Sequence, residues 1–186
     1  MSSILKVDQL QDSGGNEIIT SNGSGTITVN SQPFKNGITE ADQWRLTADI
    51  TANENPISSN LARPNNTGFS KIGTGMSVSS GVWTFPSTGL WKIEANVLAI
   101  LNSTDAQILF TIRTYINSSP TDVAQAAMGS KSDYTMGTTT FLYNVTDTST
   151  HQLTFMLSSV AAGGSIRGNA NFNETHFNFI RLGDSQ

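Results

Sequence analysis

The chain has 186 residues, no cysteine, a charged fraction of 13% and a formal net charge of -4. That length suits one ordinary domain plus an appendage, and the missing cysteines exclude a disulfide framework and a thiolate metal site. Surface charge is about half of the ~25% usual in soluble domains, and the 10 basic residues are scattered, which argues against nucleic acid as a partner because phosphate binding needs clustered cations.

No apolar run approaches the ~18 residues of a spanning helix. The start, MSSILKVDQLQDSGG, lacks the basic flank and apolar core of a signal peptide, so the expectation is a chain made in a cytoplasm without membrane insertion. Residues 1–38 stand apart from the rest. Two short apolar patches, Ile4-Leu5-Val7 and Ile18-Ile19, are separated by Gly, Ser and Asn and precede the alternating Thr26-Ile27-Thr28-Val29. This is too little apolar surface for a core, which predicts either an extended arm pairing with another protein or three short strands wound about an axis shared with sister chains. Ile4, Leu5, Val7, Ile18 and Ile19 are its candidate attachment residues, and Pro33 and Gly37 mark the boundary before a domain over 39–186.

From residue 41 onward, period-2 alternation closed by turn residues predicts antiparallel strands. QWRLTADIT reads as one half-buried strand with Trp44, Leu46, Ala48 and Ile50 inward. Residues 52–67 read as a loop, since Pro56 and Pro64 exclude an interior strand. In LWKIEANVLAIL the inward set is Trp91, Ile93, Ala95, Val97, Ala99 and Leu101; Lys92, Glu94 and Asn96 face out, joined further on by Leu98 and Ile100. QILFTIRTYI places Ile108, Phe110, Ile112 and Ile116 on one side. A long connection over 117–137 follows, in which Asp122 to Met128 could form a helical turn or two. Residues 141–145 and 152–158 read as a strand pair about a turn from Asp147 to Thr150. The closing strand, THFNFIRL, projects Phe177 and Phe179 to one face and Ile180 and Leu182 to the other. Burial on both faces predicts contact with sister chains. The trimer-interface candidates are therefore Phe177, Phe179, Ile180, Leu182, Leu98 and Ile100.

Residues 69–93 read FSKIGTGMSVSSGVWTFPSTGLWKI. This block resembles the signature of the tumour-necrosis-factor-like superfamily, and specifically the globular heads of the complement q subunit. Lys71-Ile72, Gly81, Trp83, Phe85, Pro86, Gly89 and Trp91 fill the family's places, and NETHFNFIRL resembles its last strand. The resemblance covers residues 41–183 and implies a ten-strand jelly-roll β-sandwich that packs as a homotrimer about an axis lined by its inner sheet. The chain departs from the animal members in lacking cysteines, a collagen stalk and a secretion signal. The opening ILKVDQLQDSGGNEIITSNGSGTITVN resembles the starts of fibre and virion structural proteins of marine cyanophages.

Catalytic chemistry finds little support. No G-x-S-x-G elbow occurs. His151 and His176 alone cannot make a three-ligand metal site, and His176 reads as a strand residue at the trimer contact. Glu40 with Asp42, and Asp147, read as solvated or turn-forming. Triplets of N-x-S/T type at Asn102, Asn144 and Asn173 carry little weight in so Asn- and Thr-rich a chain. Tyr134, with the loop from Ala161 to Asn171 beside it, is the candidate receptor contact for a host glycan or protein; its alternative is to cover a neighbouring chain. The two resemblances together imply a non-enzymatic virion protein with no cofactor. It would be a trimeric fibre or appendage, assembled in the host cytoplasm, held to other virion proteins by residues 1–38 and meeting the host surface with its loops. A capsid decoration trimer is the alternative. A polysaccharide hydrolase is a further one, and it would need paired carboxylates in a groove.

Overall fold

The computed structural model describes residues 9–29, 37–102, 107–129 and 134–186. The chain divides into two compact units, Met1–Gly37 and Ile38–Gln186.

In the first unit, β1 (Gln9–Gln11), β2 (Glu17–Ser21) and β3 (Ile27–Val29) form an antiparallel meander in that order. Its turns are set by side chains that imitate backbone acceptors. Asp12 Oδ1 accepts from the amides of Gly14 and Asn16, and Asn22 Oδ1 accepts from those of Ser24 and Thr26. Ile18 and Ile19 lie half-buried on β2, while Leu10 and Ile27 are exposed. The attachment candidates Ile4, Leu5 and Val7 lie outside the described residues. Over 9–29 the segment thus pairs with itself, instead of extending as a single arm.

The second unit is an all-β sandwich. Its strands are β4 (Ala41–Leu46), β5 (Leu61–Ala62), β6 (Ser77–Ser79), β7 (Val82–Thr84), β8 (Gly89–Ile100), β9 (Ile108–Ile116), β10 (Ser119–Met128), β11 (Tyr134–Val145), β12 (His151–Ser158), β13 (Ser165–Ile166) and β14 (His176–Gly183). One sheet runs β10-β9-β12-β7-β6; the other runs β11-β8-β14-β4-β5, with β13 also on β8. Among the described residues that makes eleven strands, two of them only two residues long, where the family resemblance implied ten.

Between the sheets lies an aromatic core. Trp83, fully buried, meets Trp44, Phe155, Phe177 and Phe179 at ring-centroid distances of 5.1, 5.6, 6.2 and 5.1 Å. Phe155 stacks on Phe177 at 4.4 Å. Each such pair contributes about 0.5–1.5 kcal/mol beyond the area it removes from water. The alternation of β8 is complete over all twelve residues, odd positions buried and even positions half-exposed.

Several expectations are corrected. Phe177 and Phe179 are fully buried inside a single chain, because their face of β14 meets the opposite sheet, so they are not interface residues. Residues 119–128 form a strand hydrogen-bonded along β9 and not a helical turn. The predicted 141–145/152–158 pair does not exist: β11 and β12 belong to different sheets, and the turn at Asp147, whose Oδ1 accepts from Ser149 N, carries the chain across the sandwich. β4 stops at Leu46, and Ile50 makes only an isolated bridge to Ile166. Ile116, at the end of β9, is 47% exposed. Asp42 is buried and not solvated.

The β6–β7 hairpin explains one glycine of the GVWTFP block. Ser80 and Gly81 form its two-residue turn with φ of 50° and 80°, the left-handed pair that matches strand twist. A Cβ on Gly81 would also lie 2.5 Å from the Ile57 carbonyl oxygen. Gly81→Ala is therefore expected to destabilise the protein by about 1–3 kcal/mol, read as a lower urea midpoint; an unchanged midpoint would show that the turn relaxes freely.

Candidate functional site

The outer face of the six-stranded sheet brings together exposed apolar side chains of β11 and half-buried ones of β8 and β14. Strand register arranges it in cross-strand rows. At one end Tyr134 sits opposite Ile100, and Met136 opposite Leu98. Next come Thr138, Asn96 and His176, then Thr140, Glu94, Asn178 and Gln43. At the other end lie Leu142, Lys92, Ile180 and Ala41. Tyr134, Met136 and Leu142 are 62%, 61% and 53% exposed. A cavity of about 250 Å³ opens over the last rows, lined among others by Ala41, Ile72, Lys92, Glu94 and Ile180.

Between the apolar ends runs a belt of linked polar groups. Asn173 Nδ2 donates to Gln43 Oε1, Gln43 Nε2 to Asn178 Oδ1, and Asn178 Nδ2 to Glu94 Oε1, at 2.7, 2.7 and 3.0 Å. Asn96 Nδ2 donates to the same Glu94 oxygen, Lys92 Nζ donates to its other oxygen, and Thr138 Oγ1 donates to Asn96 Oδ1. Lys92 foremost, then Asn178 and Asn96, hold the Glu94 carboxyl down at about 2 against an ordinary 4.5. A carboxylate lowered in the folded state adds stability above pH 4.5 that is lost as pH falls towards 2. The acid limb of the unfolding or dissociation curve is expected to flatten in Glu94→Gln; an identical acid limb would show that Glu94 does not govern it.

Of the predicted interface residues, Leu98, Ile100 and Ile180 share this face. Leu182 lies at the register shift between Arg181 and Gly183, unpaired with β8, and is 52% exposed. Phe177 and Phe179 are on the opposite, core side. The closing strand is dry outward only at its end, since His176 and Asn178 precede Ile180. Tyr134 begins β11 instead of standing in a loop, and β13 flanks Ile100 from the other side. Alternation places Lys92, Glu94 and Asn96 outward, but their links to Gln43 and Asn178 arise only from strand pairing. Alternation alone places both amides on the outer face, the only signal available.

Behind this face, Asp42 ties a loop to β4. Its side chain is fully buried and accepts from Arg63 Nε and Nη2, Trp44 Nε1 and the Met76 amide. Arg63 also lies 4.4 Å above the Trp44 ring. Glu40 accepts from the Gly75 amide, so both acids of the pair hold the segment that enters β6. Among the described residues, no group of three or more His, Asp and Glu could hold a metal.

No family model matches the sequence, and no curated protein matches it. Solved structures do match. Eiger TNF from S. frugiperda superposes with a TM-score of 0.61 at 11% identity, covering 81% of this chain and 96% of that one. Murine APRIL at pH 5.0 gives 0.58 at 10% identity, with 77% and 98% covered. The PRD1 vertex protein P5 gives 0.50 at 21% identity, with 78% and 99% covered. At these identities the likeness is one of architecture: residues 38–186 have the jelly-roll fold of the tumour-necrosis-factor-like structures.

Proposed function

We propose that this chain is a non-enzymatic structural protein of a phage particle. It assembles as a homotrimer through the outer face of the six-stranded sheet and is held to other virion proteins by its N-terminal unit. The observation that carries the reading is the grouping of Leu98, Ile100, Met136 and Tyr134 at one end of that face, with Leu142, Ile180 and Ile72 at the other. A solvated sheet face would alternate to polar residues throughout, and an apolar group of this kind marks an interaction surface. The polar belt between the ends supplies hydrogen-bonding groups that fix register more than they add affinity. Tyr134 accordingly belongs to the interchain contact, and host contact falls to the loops. Similarity in fold to a phage vertex protein, and the resemblance of the opening segment to virion proteins, support the particle setting.

A fibre or appendage is the favoured form. Capsid decoration is the second reading, favoured by the small meander. Among the described residues its outer strands β1 and β3 each have one neighbour, so a shell protein could extend the sheet by strand addition. Mass spectrometry of purified particles, separated into shell and appendage fractions, tests the proposal. The chain is expected in particles in copy numbers divisible by three, and its absence from them would overturn the reading.

A further inference from the structure

A second concavity lies beside the sheet face, between the loop after β5 and the segment leading into β14. It is an open groove of about 510 Å³, lined among others by Gln43, Asn66, Phe69, Asn171, Phe172 and Asn173. No charged side chain lines it. Phe172 is 56% exposed, so a face of its ring is open to a molecule in the groove.

The side-chain amides of Asn66, Gln43 and Asn173 are fixed in place by hydrogen bonds. Arg45, 1% exposed, is held by amide oxygens: its Nη1 donates to Asn66 Oδ1 at 3.0 Å and its Nη2 to Asn65 Oδ1 at 2.8 Å. A guanidinium bonded to an amide oxygen polarises that amide and turns its NH2 away from the cation, which strengthens it as a donor. Asn66 uses its NH2 on the Asn171 carbonyl, which ties the two walls together. Asn173 is held by Gln43, and the Asn171 backbone by Asn169 Oδ1.

We propose that this groove binds a saccharide whose ring packs against Phe172 and whose hydroxyls bond the amides of Asn171 and Asn173. Sugar hydroxyls both donate and accept, as carboxamides do, and the apolar C–H face of a pyranose matches an aromatic ring. A lining without charge selects a neutral sugar over an acidic one. The site lies wholly within one chain and extends the appendage reading by naming the chemistry of the surface it would meet.

Saturation-transfer NMR on the full-length protein tests this, with chitotriose, maltotriose and mannotriose as neutral probes and trigalacturonate as the acidic one. At least one neutral probe is expected to receive saturation. Phe172→Ala and Asn171→Ala should each weaken its binding roughly tenfold, the equivalent of one well-formed contact; sedimentation should stay unchanged, and Tyr134→Ala should bind normally. The proposal is overturned if no neutral probe binds, if trigalacturonate alone binds, or if binding survives both groove substitutions. None of these results touches the particle reading, which rests on copy number and on the sheet face.

Discussion

Asp42→Ala is expected to destabilise the protein by about 3–5 kcal/mol, the cost of removing one partner from a buried ionic cluster. The carboxylate carries no exposed surface, whereas the Arg63 side chain is 31% exposed. Arg63 can therefore turn partly to water when Asp42 is lost. Trp44 Nε1 and the Met76 amide, each 2.9 Å from Asp42 Oδ2, cannot, and a buried donor left without an acceptor costs about 1–3 kcal/mol. The loop that enters β6 would then lose its hold on β4 behind the aromatic core. Urea unfolding at fixed protein concentration measures the effect, concentration being held because association adds to apparent stability. A loss below about 1 kcal/mol would show that the cluster is solvated and that the interactions around Asp42 are exchanged for water at little cost.

Leu98→Asp is expected to lower the association constant by at least about a hundredfold while leaving the fold intact. Leu98 faces outward between buried neighbours on β8 and pairs across with Met136. In the free chain a carboxylate there would stay hydrated. In the assembled face it would be desolvated without a cation opposite, a penalty of several kcal/mol. Sedimentation velocity on Leu98→Asp, and on Ile180→Asp at the opposite apolar end, should show single chains with a native circular-dichroism spectrum. Unaltered sedimentation of both variants would remove this face from the contact.

The same physics explains which parts of the molecule could be read from the chain and which could not. β8 was legible because one of its faces meets the core along its whole length, so every second residue is apolar. β10 was not. It is an edge strand opening Ser119-Pro120-Thr121-Asp122, and edges tolerate proline and polar residues that interior strands exclude. Its turn, Asn117-Ser118 with φ of 50° and 64°, lacks the glycine that usually announces a two-residue hairpin. The pairing of 141–145 with 152–158 failed because a short turn between two strands can cross a sandwich as readily as close a hairpin.

Asp42 and the Glu94 belt were hidden for a different reason. Arg63 lies 21 residues from Asp42, and Asn178 lies 84 from Glu94 and 135 from Gln43. Only topology brings such groups together. The double apolar character of the last strand was legible, but its meaning was divided: Phe177 and Phe179 belong to the protomer, and Ile180 to its outer surface.

Sedimentation equilibrium of the unaltered, full-length protein at micromolar concentration bears most directly on the proposal that the outer sheet face is a self-association surface. Three times the mass of the chain is the expected result. A well-folded species with the mass of one chain at that concentration would contradict it.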